Sequence, residues 1–576
     1  MLGDIGDDLG QRVAAAVGAA FDVACTIEDA MVRPSQREGV DYQVNAAMAL
    51  AKRLRRPSRE IAEAIVAHID LSDIAESVGV AGPGFINIAL STAWLADHTA
   101  RIAADERLGY LPAVEPQRVV IDYSSPNMAK EMHVGHLRST IIGDSLVRLM
   151  EFAGHEVVRQ NHIGDWGTPF GMLVEHLIDE GLAEQSFSIG DLNVFYQQAR
   201  TKFDADADFA ERARMRVVAL QAGDPDTLEL WDRLLTESKH HIEAVYNLLG
   251  VRLTPDDYKG ESTYQPWLDD VSDELRRRGI AEDSEGALCV FLDGFTGRDD
   301  QPVPLIVRKR DGGFGYDATD LATIRYRTQD LKGDHLIYVV GAPQALHFAM
   351  IFAAARKAEW VSPETATTHV GFGSVLGSDG RMLRTRAGAS LKLTDLLDQA
   401  VQRAAGLVAE RTDLPEGERT RIAHAVGIGA VKYADLSVDR DKDYVFDLDR
   451  MLAMDGNTAV YLQYAHARIR SILRRADQVP EPGAPVRLTE PAERDLALRL
   501  ARFPDAVQMA IPNPQPPRLC TYLFELATAF STFYENCPVL TSEGAIRQSR
   551  LVLALHTATV LNRGLDLLGI DTPERL

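Results

Sequence analysis

Three consecutive β-branched residues, Val119, Val120 and Ile121, run without polar alternation into Asp122. A strand that is apolar on both faces needs cover on both sides, so this run demands a parallel sheet packed between helices. The residues beyond Asp122 fit that demand. SPNMAKEMHVGH reads as a loop, LRSTIIGDSLVRLMEFAG as a helix ending at Gly154, and HEVVRQNHIG as another short strand. Strand, loop, helix, strand is half of a doubly wound fold, in which ligands gather at the carboxyl ends of the strands.

The 576 residues leave room for more than this sheet. Residues 1–110 read as a small α/β domain. Helical periodicity runs through IGDDLGQRVAAAVGAAF, NAAMALAKRLRR and PSREIAEAIVAHI, with Ser58 as the expected cap of the third. GPGFINIAL then turns on glycine into a strand. After the linker GYLPAVEPQ, residues 111–400 form the nucleotide-type domain. Its sheet pattern resumes in PLIVRKRDGGFGYDATDLATIRYR, HLIYVVG and THVGFGSVLG, beyond a mostly helical, charged insertion at about 170–300. Residues 401–576 read as an all-helical bundle, with YLQYAHARIRSILRRA as a clear amphipathic helix. The fold class expected is multidomain α/β: a central Rossmann-like parallel sheet with an insertion, a small α/β N-terminal domain and a helical C-terminal bundle.

Charge narrows the function classes. Lys and Arg number 61 against 84 Asp and Glu, a formal −23, which argues against a general nucleic-acid binder but leaves room for one basic face. The cluster Lys52, Arg53, Arg55, Arg56 and Arg59 is such a concentration, although a solvated helix end would look the same. The four cysteines form no CxxC pair, the start is acidic, and no apolar stretch approaches the roughly 18 residues of a membrane span. A cytoplasmic protein without structural zinc is expected. There is no P-loop, no G-x-G-x-x-G and no G-x-S-x-G, so ATPase, hydride-transfer and serine-hydrolase readings gain no support.

His133-Val134-Gly135-His136 sits between the buried strand and the long helix. Helix-terminal N–H groups attract phosphate there, and Gly135 lets a nucleotide approach the backbone. Two imidazoles at that place can stabilise charge building on an α-phosphate and its leaving pyrophosphate. Taken alone, the same residues also suit a helix cap with two surface histidines.

The surrounding blocks decide between these readings. VVIDYSSPNMAKEMHVGHLRSTIIGDSLVR and GHEVVRQNHIGDWGTPFGML closely resemble the catalytic core of arginyl-tRNA synthetases, with His133 to His136 matching the class I signature. GESTY at 260–264, GYDATDLATIRYR, HLIYVVGAPQALHF and TRAGASLKLTDLL match further family blocks in order. YLQYAHARIRSIL resembles the start of the family's anticodon-binding domain, LLGIDTPERL its tail, and GPGFINI its added RNA-binding domain. The resemblance covers nearly the whole chain.

It implies ATP-dependent attachment of L-arginine to tRNA-Arg through arginyl-adenylate, with Mg2+ accompanying ATP, by a monomer without an editing domain that tends to need tRNA even for the first step. Carried over residue by residue, Lys130, His133, Gly135 and His136 serve ATP. The second class I signature, a lysine-rich loop, is degenerate here: GSDGRMLRTRAG holds Arg381, Arg384 and Arg386, and Arg384 aligns with the usual cation. Glu261 and Asp320 face the guanidinium, Tyr316 lines the same pocket, and Asn127 and Gln344 hold the amino-acid end. The chemistry suits the substrate, since a guanidinium is a fork of donors that needs ionised acceptors. The N-terminal domain would touch the outer corner of the tRNA, with Arg53, Arg56 and Arg59 as candidates. His466, Arg470 and Arg474, stacked along one helix, are candidates in the anticodon-binding domain, with Tyr461 a weaker one. Rival readings are another amino-acid specificity, a silent RNA-binding paralogue and a non-RNA adenylyltransferase.

Overall fold

The computed structural model describes residues 3–35, 37–128, 130–182, 192–297, 301–383, 391–410, 414–511 and 514–576. It divides into two compact units. One comprises Met1–Pro112, Val408–Val426 and Leu452–Leu576, the other Ala113–Leu407 and Gly427–Met451.

The second unit is built on a five-stranded parallel sheet. Its spatial order is Ala366–Val370, His335–Val339, Arg118–Asp122, Glu156–Ile163 and Tyr258–Gly260. The Val119–Ile121 run is the middle strand, with Val120 opposite Leu336 on one side and Val158 on the other. All three of its apolar side chains are buried, as a strand covered on both faces requires. Strand order reverses between Arg118–Asp122 and His335–Val339, so the crevice at their carboxyl ends is the topological switch point. The loops leaving those two ends carry His133 and Gln344.

PLIVR departs from the expected sheet. Pro302–Arg308 pairs antiparallel with Ala287–Thr296, which pairs with Ala281–Ser284 in a separate three-stranded sheet. The alternation explains it. In Pro302–Arg308, Leu305 and Val307 are buried while Pro304 and Ile306 are exposed, the pattern of a strand with one covered face. The insertion before it is helical, with Leu192–Ala205, Ala207–Gln221 and Pro225–Leu249.

In the first unit a four-stranded antiparallel sheet, ordered Val32–Pro34, Tyr42–Val44, Phe85–Leu90 and Ala75–Ala81, packs with helices Ile5–Phe21, Ala46–Leu54, Ser58–His68 and Thr92–Ala103. Pro57, not Ser58, occupies the cap position, and Ser58 instead donates its hydroxyl to the Pro83 carbonyl. The bundle contributes Ala459–Arg475, Pro491–Leu500, Phe503–Ala510, Pro516–Asn536 and Gly544–Leu567. Sheet and bundle are joined through Asp41. Arg494 donates to both its carboxylate oxygens, at 2.9 and 2.7 Å, and to the Leu90 carbonyl at 2.9 Å, and Arg502 donates to its backbone carbonyl at 3.0 Å. Among the described residues no helix is long and apolar enough to cross a membrane.

Candidate active site

The loop after the central strand begins with an unusual backbone. Ser124 and Ser125 both have left-handed φ, 70° and 47°, a conformation that costs non-glycine residues about 1–3 kcal/mol each. Local bonds compensate. Ser124 N–H donates to Ser139 Oγ at 2.9 Å, Ser125 N–H to Asn161 Oδ1 at 3.0 Å, and Ser125 Oγ to Asp122 Oδ1 at 2.9 Å. Beneath them Asp122 lies 2.8 Å from Arg327 Nη2. Burial pushes the Asp122 carboxyl up, but the charge of Arg327, with help from His162, prevails and holds it below the usual range. The chain then runs beside the next strand's end: Asn127 pairs with Gly164, and Met128 N–H donates to the Gly164 carbonyl at 2.9 Å. Asn127 is left exposed at the mouth of the crevice.

His133 caps the helix Val134–Phe152. Its Nδ1 accepts the Gly135 N–H at 3.0 Å, and its own N–H donates to His136 Nδ1 at 3.1 Å. A Cβ on Gly135 would fall 2.7 Å from the His133 ring, so this cap requires glycine. Burial, then the charge of Lys130, lowers the His133 pKa; burial and the neighbouring imidazole drive His136 down to about 3. Both rings are therefore neutral, and with Nδ1 accepting, each carries its proton on Nε2. The pair offers two N–H donors at a helix start, 4.1 Å apart by ring centres.

The segment after the arginine-rich loop returns to this place. Val134 N–H donates to the Leu391 carbonyl and Leu393 N–H to the Met132 carbonyl, at 3.2 and 3.0 Å. Lys392 Nζ lies 2.8 Å from Glu131 Oε2, a cation inside the TRAGASLKLTDLL block to which the sequence assigns no role of its own. On the other side of the loop, Gly377 N–H donates to the Arg381 carbonyl at 2.8 Å. Arg384 and Arg386 lie outside the described residues. Lys130 rests over the ring of Tyr196, 4.3 Å from its centre, while Asn193 accepts the Glu131 N–H. Both partners belong to the inserted helix Leu192–Ala205, and nothing in their spacing marks them for this task.

Deeper in the crevice three carboxylates gather. Asp165 is 4% exposed and clasped by Ser262, whose N–H and hydroxyl donate at 2.8 and 2.6 Å. A Cβ on Gly260 would overlap the Asp165 carboxylate, so the clasp depends on glycine there. Glu261, next in sequence, feels burial first, then the charges of Asp165 and Asp320, and is pushed up to about 7. No lysine or arginine among the described residues forms an ion pair with Glu261 or Asp165; every ion pair of Asp320 is with His347. Asp320 sits one turn into the helix Tyr316–Gln329, and Tyr316 opens that helix, 78% exposed. Gln344 is exposed at the cap of Ala345–Lys357. The structure thus brings Glu261 and Asp320 together with Asp165, and sets Asn127, Tyr316 and Gln344 on solvent-facing loops and helix starts of the same unit. Among the described residues no group of three or more His, Cys, Asp or Glu side chains is arranged to hold a metal ion. Chemically, ionised carboxylates are acceptors for a cation with several N–H donors.

The candidates in the first unit are engaged within the chain. Arg53 donates to the Ala24 carbonyl, Arg56 lies over the Phe21 ring, and Arg59 pairs with Glu63. His466 is 3% exposed, with Nδ1 3.3 Å from the Pro573 carbonyl, so it faces the interior and not a surface open to an RNA backbone. Arg470 and Arg474 both bond Glu574 and stay partly exposed. The Tyr461 ring lies tilted against Phe524, with centres 5.6 Å apart.

Comparison with known proteins gives the family. A family model for the catalytic domain of class I tRNA synthetases (R) matches residues 99–448, a DALR anticodon-binding domain model matches 462–576, and an arginyl-tRNA synthetase N-terminal domain model matches 7–90. The chain is 55% identical to an arginine–tRNA ligase of Thermobifida fusca over 99% of both chains, and 51% identical to one of Frankia casuarinae over 98% of both. Among solved structures it is similar to an arginyl-tRNA synthetase of Plasmodium falciparum (TM-score 0.87, 30% identity, 100% of both chains). A second likeness is to that of Thermus thermophilus (TM-score 0.83, 26% identity, 99% of this chain and 100% of the other).

Proposed function

The chain belongs to the arginyl-tRNA synthetase family, and from that membership we propose how its residues divide the work. Its reaction is the ATP-dependent attachment of L-arginine to tRNA-Arg. The arginine carboxylate attacks the α-phosphate, a new O–P bond forms and pyrophosphate leaves; a ribose hydroxyl of the tRNA end then takes the arginyl group and AMP leaves.

In this reading the guanidinium enters among Glu261, Asp320 and the clasped Asp165. The observation that carries the assignment is that Glu261 is raised first by burial and then by the charges of Asp165 and Asp320, with no lysine or arginine among the described residues in an ion pair with it or with Asp165. A substrate guanidinium relieves that repulsion and fills the acceptors with charge-assisted bonds. Tyr316 borders the guanidinium, and Asn127 and Gln344 hold the amino-acid end. The Nε2–H groups of His133 and His136 donate to phosphate oxygens as charge builds on them, with Gly135 keeping the approach open. Lys130 leaves the Tyr196 ring to meet the triphosphate, and Arg384 adds a second cation from its loop. Magnesium comes with the nucleotide as part of the substrate, and no residue is assigned to it.

The RNA is divided between the ends of the chain. Residues 1–110 take the outer corner, with Arg53, Arg56 and Arg59 as contacts. Residues 401–576 take the anticodon, with Arg470 and Arg474 as phosphate contacts. The catalytic domain spans 111–400, with Gly427–Met451 in the same compact unit, and the enzyme works in the cytoplasm as a monomer.

ATP–pyrophosphate exchange with arginine or lysine, each with and without tRNA-Arg, tests the reading. Exchange with arginine and not lysine is the expected result. A lysine/arginine ratio in kcat/KM above roughly 10⁻³ would mean the acceptors do not read the fork. Exchange with arginine in the absence of tRNA would show that the crevice is complete without RNA.

A further inference from the structure

His347 lies within the HLIYVVGAPQALHF block, but the sequence assigns it no role of its own. It stands three residues beyond Gln344, in the first turn of the helix Ala345–Lys357. Its Nε2 is 2.6 Å from Asp320 Oδ2, and its Nδ1 is 3.5 Å from Asp317 Oδ1. One imidazole therefore spans two carboxylates that stand on the same face of the helix Tyr316–Gln329. Asp317 is itself anchored, because its Oδ2 accepts the Ile306 N–H at 2.6 Å from the outer strand Pro302–Arg308. Acceptors on both sides of the ring favour the doubly protonated form. The hydrogen bond to Asp320, with the charges of both carboxylates, outweighs burial and raises His347 above its ordinary value.

The arrangement has a directional consequence. The imidazolium bonds one oxygen of Asp320 from behind, so Oδ2 is committed and Oδ1 is left outside that bond. When protonated, it also places a positive charge against a carboxylate whose own charge is felt at Glu261. And because His347 is one turn from Gln344, it ties the guanidinium end of the crevice to the end that would hold the α-ammonium. We propose that His347 is a positioning residue for arginine: it fixes Asp320 by one oxygen so that the other meets the substrate guanidinium, and it sets the spacing between Asp320 and Gln344. This rests on the reading of Asp320 as a guanidinium ligand.

The test is steady-state aminoacylation by the full-length enzyme with tRNA-Arg, with separate KM values for arginine and ATP, in His347→Ala, His347→Gln, Asp317→Ala, Asp320→Ala and the His347→Ala/Asp317→Ala double variant. His347→Ala raises the arginine KM about tenfold while the ATP KM and kcat stay within about threefold. His347→Gln, whose amide can replace the Nε2–H, recovers most of the loss. Asp317→Ala lies between, and adds nothing further in the His347→Ala background, because Asp317 acts only through the ring. An arginine KM within twofold of wild type in His347→Ala would overturn the proposal. So would parallel losses in kcat and both KM values, a His347→Gln variant no better than His347→Ala, or additive Asp317 and His347 effects. Asp320→Ala separates the two levels of failure. If it leaves the arginine KM unmoved, the pocket reading itself is wrong; if it weakens arginine while His347→Ala does not, the positioning role alone is wrong.

Discussion

In the proposed reading each compact unit has a place for a guanidinium, and the two differ in who supplies it. In the first unit Asp41 takes a two-pronged bond from Arg494, and the same guanidinium reaches the Leu90 carbonyl. The chain provides both partners, so the pair is a joint. In the second unit Asp165, Glu261 and Asp320 converge with serine and histidine as partners and no arginine among the described residues. There burial, then the charges of Asp165 and Asp320, raises Glu261 to about 7. A satisfied pair spends its electrostatics on stability. In the proposed reading, a cluster with no arginine or lysine of the described residues paired to Glu261 or Asp165 keeps that electrostatics for a ligand. Truncating each carboxylate should therefore have opposite signatures.

The largest expected effect comes from that contrast. Asp320→Ala should lower kcat/KM for arginine by about 10²–10³-fold, the cost of removing one member of a desolvated charge pair. Its urea midpoint should stay near wild type, since no chain cation loses its partner except His347. Asp41→Ala should do the reverse. Arginine kinetics should be unchanged, while unfolding of the first unit should cost about 2–4 kcal/mol less, reduced from the range for fully buried pairs because Arg494 keeps some exposure. A stability loss in Asp320→Ala larger than in Asp41→Ala would break the comparison.

A smaller effect sharpens it. Glu261 titrates near neutrality because burial and two like charges oppose its ionised form. The ionised form is the acceptor, so arginine affinity should rise as pH climbs from 6 to 8, by roughly tenfold for a pKa about 7. Binding should correspondingly release a proton, visible as buffer-dependent heat in titration calorimetry near pH 6.5. Glu261→Gln should flatten the profile. His347, also raised, loses its proton in the opposite functional sense, and the His347→Gln profile isolates the Glu261 component.

How much of this is legible in the sequence depends on distance along the chain. The strand Val119–Ile121, the His133–His136 cap and the blocks around Glu261 and Asp320 are local patterns whose meaning survives without coordinates. The joint at Asp41 joins residues 453 apart, and no local spacing announces it. The hairpin at Pro302–Arg308 reads as part of the parallel sheet because short apolar runs suit either architecture until pairing partners are known. His466 shares a helical stripe with Arg470 and Arg474, but helical phase says which residues align and not which side faces Pro573. His347 sits inside a family block without a mark of its own, because its role arises only when the helices of Asp320 and Gln344 meet.

The smallest expected effect concerns a third kind of pair. Arg470 bonds Glu574 at 2.7 Å, yet the two side chains are 36% and 59% exposed. Water competes for both, so the pair itself should contribute less than about 1 kcal/mol to stability. It is neither a joint like Asp41 nor a site starved of cations; it is a cation held in reach of solvent by a partner that can be exchanged. If Arg470 meets a tRNA phosphate, Arg470→Ala should weaken tRNA binding about threefold at moderate salt and reduce the slope of log affinity against log salt by about 0.7–0.9. The urea midpoint should hardly move. Glu574→Ala should then leave stability equally unchanged and strengthen binding slightly, because the competing carboxylate is gone. An unchanged salt slope in Arg470→Ala, with a lowered midpoint, would place Arg470 with Arg494, as a structural cation that belongs to the fold.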